Sequence, residues 1–481
     1  MGIKRYTANA DTTITNAYKA NLKTRGTDGN MGLADSLEVF HIYGQESSSS
    51  AENSRVLINF PVSDIITARA AGSIPAAGSV SWFLRVHNVV HPSTLPRNYN
   101  MTILAVSSSW SEGTGMDMEE YSDVGYANWA SAASSSGGVT AWTTAGGDYH
   151  VSPSYTAYFD NGTEDIEVDI STLVEQWVDG TKESYGVGIR MENESAFSSS
   201  YTKKFSARGS QYFYSRPTLE ARWDSATKDD RGNFYYSSSL APAADNLNTL
   251  YLYNYSRGRL VDIPEIGEGD NIYVNLYAST SDAPSGAKLI QYDGGTQATG
   301  QWVSTGVYSA PLGITASSTP LATIHDVWTN LAETTEYHTG SVTPKSLDSS
   351  EQNSVSQVVM NVTNLRDTYH RNETARFRLY TRQKNWCPTI YTKAVSTPET
   401  YIVESGSFKV VRLIDDLDVV AFGTGSDMHT QMSFDSTGNY FDIDISMLEA
   451  GYGYGLKFAF YDGSAGAWNE YPDVFKFRVE E

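Results

Sequence analysis

Between residues 164 and 224 the hydrophobic period of the chain changes twice, which restricts the folds open to it. In the stretch 165–170, Ile166, Val168 and Ile170 alternate with Asp165, Glu167 and Asp169, the spacing of a strand with one dry and one wet face. Thr172 and Glu175 then stand at capping-box spacing, Leu173, Val174 and Trp177 fall on one side of a short helix, and Gly180 can end it. Alternation returns at Tyr185, Val187, Ile189 and Met191, and again at Leu219, Ala221 and Trp223. This order predicts a β-sandwich with one short helix between its strands.

The same alternation recurs along the chain. It predicts strands near 11–14, 37–43, 55–60, 80–86 and 101–106, and further strands beyond residue 225 around 250–255, 272–277, 355–362, 375–381, 408–413, 440–445 and 454–460. With 32 Tyr and 12% aromatics, the composition suits short twisted strands. The fold class expected is all-β, as tandem β-sandwich domains, the first jelly-roll-like with a short helix. A chain of 481 residues has room for several cores. The polar linkers DSATKDDRGN and SVTPKSLDSSEQNS divide it into 1–224, 225–343 and 344–481, the middle one immunoglobulin-like. IDISML followed by YGLKFAF in the last domain echoes VDISTL followed by YGVGIRM in the first, without its helix.

Charge and cysteine content narrow the function. A net charge of −22 opposes binding to nucleic acid or anionic membrane. The single cysteine, Cys387, excludes a disulfide within the chain and a cysteine zinc cluster. The opening MGIKRYTANADTTI has no apolar core of the kind a secretion signal carries, and no run reaches the length of a membrane span. Synthesis in the cytoplasm of a host cell, without a signal peptide, is therefore expected.

Two groups of residues are candidates for sites. Glu112, Asp117, Glu119, Glu120 and Asp123 place five carboxylates in one long excursion, and such a group is either solvated, neutralised by calcium, or matched to a basic patch on a neighbour. Tyr251, Tyr253 and Tyr255, continued by Arg257 and Arg259, offer flat rings and guanidinium donors. Such a stripe is either a sheet face covered by its own loops, a protein interface, or a sugar-stacking surface. The pair His87 and His91 in HNVVH lacks the Glu that a metalloprotease helix needs beside the first His, because Asn88 stands there. No GxSxG elbow, P-loop or complete EF-hand series is present, so no enzyme and no obligatory cofactor is expected, with calcium the one candidate ion.

ADTTI, NMGLADSLEV, SRVLINFPV, the WSE of Trp110–Glu112, VDISTLVEQWVDG, YGVGIRM, FSAR and RPTLEARW occur in the order seen in DNRLRE domains, which are also classed with the alginate-binding modules of carbohydrate-binding family 96. Residues 8–224 resemble that family, which implies a jelly-roll-like sandwich of extracellular and surface proteins. The acidic, Met-containing insertion after Glu112 departs from its pattern, so no ligand site is carried over. The whole chain, with FYYSSSLAPAADNLNTLYLYN and DVVAFGTGSDM, is also similar in texture and domain order to virion structural proteins of T4-like marine tailed phages. That likeness implies a non-enzymatic virion component of the tail, neck, baseplate or capsid surface. Its partners would be other virion proteins or copies of itself. The alternative is a surface protein that binds host or environmental polysaccharide.

Overall fold

The computed structural model describes the chain except residues 45, 46, 48, 49, 94, 96, 123, 124, 136, 137, 196–199, 239, 243–245, 268, 280–285, 316–319, 346–357, 385–389, 391–399 and 464, and of 118–122 and 135 it describes the backbone only. Cys387 and most of the second expected linker thus lie outside the described residues. The fold is all-β, built of sheets whose strands pair antiparallel except for Thr368–His370 beside Phe475–Glu480, with two short α-helices among the described residues. It divides into two compact units that meet in sequence at Trp223 and Asp224.

In Gly2–Trp223, strands Ile3–Thr7, Thr218–Arg222, Ser81–Val86 and Ile166–Asp169 lie side by side in one antiparallel sheet. The facing sheet runs in the order Tyr149–Phe159, Tyr99–Val106, Val187–Met191, Ala51–Asn59, Ser36–Tyr43, Ser200–Ser206, with Ala10–Thr15 also on Ala51–Asn59. Alternate residues of both sheets, among them Trp82, Leu84, Val86, Val56, Ile58, Ile103, Ile189 and Leu219, are buried in the shared core. Gly188 is required within its strand, because a Cβ there would stand 2.1 Å from the Tyr149 ring.

Helix Ser171–Val178 buries Leu173, Val174 and Trp177, the three residues expected on its inner side. Its capping differs from the expected box. Asp169 accepts from the Ser171 N–H at 2.8 Å, while Glu175 is drawn away to Arg69 and to the Trp82 indole N–H at 3.0 Å. Arg69 belongs to a helix the periodicity did not announce, Val62–Ala70, which buries Val62, Ile65 and Ala68 and carries Asp64 in its first turn and Arg69 in its last.

In the second unit, strand Gln297–Ser304 is shared between two half-sheets. Its first half pairs with Ile272–Tyr277 and its second with Val307–Leu312, and the core of Leu250, Ile272, Val274, Tyr308 and Trp328 lies between. Beyond residue 357, Val358–Val362, Thr374–Gln383, Gly438–Asp444 and Ser433–Asp435 form one sheet. Thr368–His370, Phe475–Glu480, Gly453–Asp462, Gly406–Arg412 and Leu417–Val420 form another. Between these two lies an aromatic core in which Phe441 stacks on Phe408 at 4.1 Å and on Phe377 at 5.4 Å.

The stretch DSATKDDRGN is not a free linker. Thr227 and Asp229 exchange main-chain hydrogen bonds with Phe434 of the last sandwich, and Arg231 pairs with Asp326 of the middle one. Asn233 continues the strap by donating to Glu404 at 2.6 Å and accepting from Lys345 at 3.2 Å.

Candidate functional site

The tyrosine stripe divides into two parts with different surroundings. In strand Asn248–Tyr253, Asn248, Leu250 and Leu252 turn into the core, which leaves Tyr251 and Tyr253 on the opposite face with their rings stacked at 6.3 Å. Both are half-buried under the strap, and burial raises the Tyr253 hydroxyl far above its ordinary range, with Tyr440 and Asp229 adding to the shift. That hydroxyl is buried and makes no hydrogen bond of good geometry. Burial also pushes the strap carboxyls up, Asp229 to about 6 against the pull of Arg231, and Asp230 to about 6 although it accepts from the Thr249 N–H at 2.7 Å.

Tyr255, Arg257 and Arg259 stand apart, exposed on the small hairpin Tyr255–Ser256 and Arg259–Leu260. Arg257 adopts a left-handed φ of 52° at its turn, a conformation usually filled by Gly or Asn. The inner tyrosines are therefore packed within their own unit, and the hairpin presents one ring and two guanidinium groups to solvent.

The acidic excursion is also divided. Both carboxylate oxygens of Glu112 are engaged by the Arg208 guanidinium, and one of them accepts the Asp11 N–H at 2.7 Å. Asp117 is half-buried at the start of strand Asp117–Ser122, whose pairing register places it opposite Asn30. The side chains of Glu119 and Glu120, and all of Asp123, lie outside the described residues. Among the described residues no group of three His, Cys, Asp or Glu is arranged to hold a metal ion.

Residues distant in sequence converge around Glu112. Asp11 of ADTTI accepts from the Arg208 N–H of FSAR at 2.6 Å. Asn30 of NMG donates to the carbonyls of Glu112 and Ala127 and accepts from the N–H groups of Gly32 and Gly115. Asp11 is 1% exposed, and burial pushes its carboxyl up to about 7 against the Arg208 N–H bond. The cluster fixes the start of the excursion over the outer face of the sheet. There Trp129 and Trp142 bury Ile14, Leu57 and Val106, and the half-buried Trp110 donates to the Tyr185 carbonyl at 2.8 Å. Charge here neutralises charge and satisfies backbone groups.

Sequence reasoning passed over Lys203, which is fully buried. A signal existed, since Lys203 lies in phase with Phe205 along its strand and so shares a face with a core residue.

No family model and no curated protein matches the sequence. Among solved structures, the titin Ig tandem domains A164–A165 are similar at 10% identity over 45% of this chain and 89% of that one, with a TM-score of 0.14. Trypsin-activated alpha-2-macroglobulin from Escherichia coli is similar at 9% identity, with a TM-score of 0.15. That match covers 89% of this chain, which spans about a quarter (24%) of the macroglobulin chain's length.

Proposed function

We propose that this chain is a non-enzymatic structural component of a tailed phage particle, carried on the tail, neck, baseplate or capsid surface and acting through protein–protein assembly. The observation that carries the reading is how its charged residues are used. Glu112 with Arg208, Glu220 with three arginines, and Asp326 with Arg231 each join segments far apart in sequence, so charge is spent on bracing sandwiches. Sandwiches braced from within suit a load-carrying assembly part, and the exposed hairpin of Tyr255, Arg257 and Arg259 offers the residue types enriched at protein interfaces. Its sequence likeness to virion proteins points the same way.

The test is to fractionate a lysate of producing cells on a density gradient and locate the chain by mass spectrometry. Co-sedimentation with particles is expected, and recovery only as a free monomer overturns the reading. The same hairpin favours a second reading, polysaccharide binding, because an exposed ring beside guanidinium groups can stack on a sugar and hydrogen-bond its carboxylate. A glycan array with and without calcium tests it, and binding in neither condition removes it.

A further inference from the structure

One buried pair in the first unit has the geometry of a reaction. Lys203 lies on Ser200–Ser206, at the edge of the larger sheet, and Asn88 follows Ser81–Val86 of the smaller one. The main chains meet where Asn88 bridges Phe205. The Lys203 Nζ stands 2.6 Å from the Asn88 Oδ1 and also donates to the carbonyls of Gly162 at 2.8 Å and Glu164 at 2.9 Å. A carbonyl bond is about 1.2 Å long, so the Asn88 Cγ lies within about 3.8 Å of Nζ. Phe159 and Phe205 wall the amine, their ring centres 5.0 and 5.2 Å away, and both are fully buried.

We propose that Lys203 and Asn88 react to form an intramolecular isopeptide bond that ties the two sheets of the first unit together. The neutral amine attacks the Asn88 Cγ, the Nζ–Cγ bond forms, the Cγ–Nδ2 bond breaks, and Nδ2 leaves as ammonia with a proton given up by Nζ. No oxidant or co-reactant is consumed. Attack requires that the amine lose its ammonium proton, and burial lowers Lys203 to about 8 against the opposing pull of Glu164 and Asp165.

Of Glu164, the main-chain carbonyl meets Nζ, while its carboxylate turns to the Asn161 N–H at 2.6 Å. Asp165 has a positioning role, since it accepts from the Asn88 main-chain N–H at 2.7 Å and contacts the His87 Nδ1 at 3.0 Å, which fixes the Asn88 backbone. In a chain with a single cysteine, this bond would supply the covalent tie between sheets that a disulfide cannot. The inference is independent of the assembly reading.

The experiment is mass spectrometry of the purified full chain followed by peptide mapping. The expected intact mass is one ammonia, about 17 Da, below that of the unmodified sequence, with residues 88 and 203 recovered in one branched peptide. Lys203→Arg and Asn88→Ala should each restore the full mass. Recovery of the two wild-type segments as separate, unmodified peptides overturns the proposal.

Discussion

Arg231 and Asp326 form a two-pronged ion pair, 2.8 Å at each contact, in which the Asp326 side chain has no solvent exposure. Asp326 also accepts from the Trp328 indole N–H at 2.8 Å, so the pair joins the strap to the core of the middle sandwich.

Removing one partner leaves the other charge buried. Arg231→Met is expected to destabilise the second unit by about 3–5 kcal/mol, whereas the double change with Asp326→Leu should cost much less. Chemical denaturation, with hydrogen exchange read on strand Ile324–Thr329, checks both. Equal losses in the single and double variants would show that the pair is not what holds the strap.

Glu220 offers the same logic in the first unit. It is 1% exposed and accepts from Arg5 at 2.5 Å, Arg85 at 3.1 Å and Arg222 at 2.6 Å. Burial alone would raise its carboxyl, but the three guanidinium groups outweigh burial and hold it well below the usual range. The stability it contributes is present above the ordinary carboxylate pKa and is lost as pH falls towards the depressed one. Glu220→Gln should therefore destabilise the first unit at pH 7 and blunt its acid limb, as thermal melts across pH would register.

Asp11 works in the opposite direction. Its carboxyl, pushed up to about 7 from 3.8, binds its proton more tightly in the folded chain, so its contribution is full at acid pH and declines as pH rises from about 4 to 7. The span corresponds to at most about 4 kcal/mol. Asp11→Asn should flatten the loss of first-unit stability over this interval. An unchanged pH profile in that variant would show that Asp11 ionises freely.

How much of this was legible in the sequence depends on whether the signal was local. Alternation located Ile166–Asp169 and Val187–Met191 because both periods are carried by adjacent residues. The echo between VDIST and IDISM is also real at the level of hydrogen bonds, for Asp169 holds the Ser171 N–H as Asp444 holds that of Ser446. The missed helix Val62–Ala70 has β-branched residues and directly follows a strand, so its apolar spacing merged with that of its neighbour. Glu175 was misassigned because its partner, Arg69, is 106 positions away. For Glu112 the sequence leaves solvation, calcium and a neighbour's basic patch open, and the neutralising charge is Arg208 of the same chain, 96 positions on. Local spacing cannot rank a nearby backbone N–H against a distant guanidinium, and the latter forms the stronger, charge-assisted bond.

The stacked tyrosines allow a test in which losing a polar group does no harm. The Tyr253 hydroxyl is buried, makes no hydrogen bond of good geometry, and faces the Tyr440 side chain, which together with Asp229 adds to the burial that opposes its ionisation. A buried donor without a partner carries a desolvation cost of about 1–3 kcal/mol that no bond offsets. Tyr253→Phe keeps the ring stacked on Tyr251 and removes only that oxygen, so the second unit should be unchanged or gain up to about 2 kcal/mol. Tyr251→Ala should instead cost about 3 kcal/mol or more, because it removes the ring on which Tyr253 rests. If denaturation midpoints showed Tyr253→Phe to be strongly destabilising, the hydroxyl would have to hold a bond in solution, and the seam between the strap and Tyr440 would be hydrated.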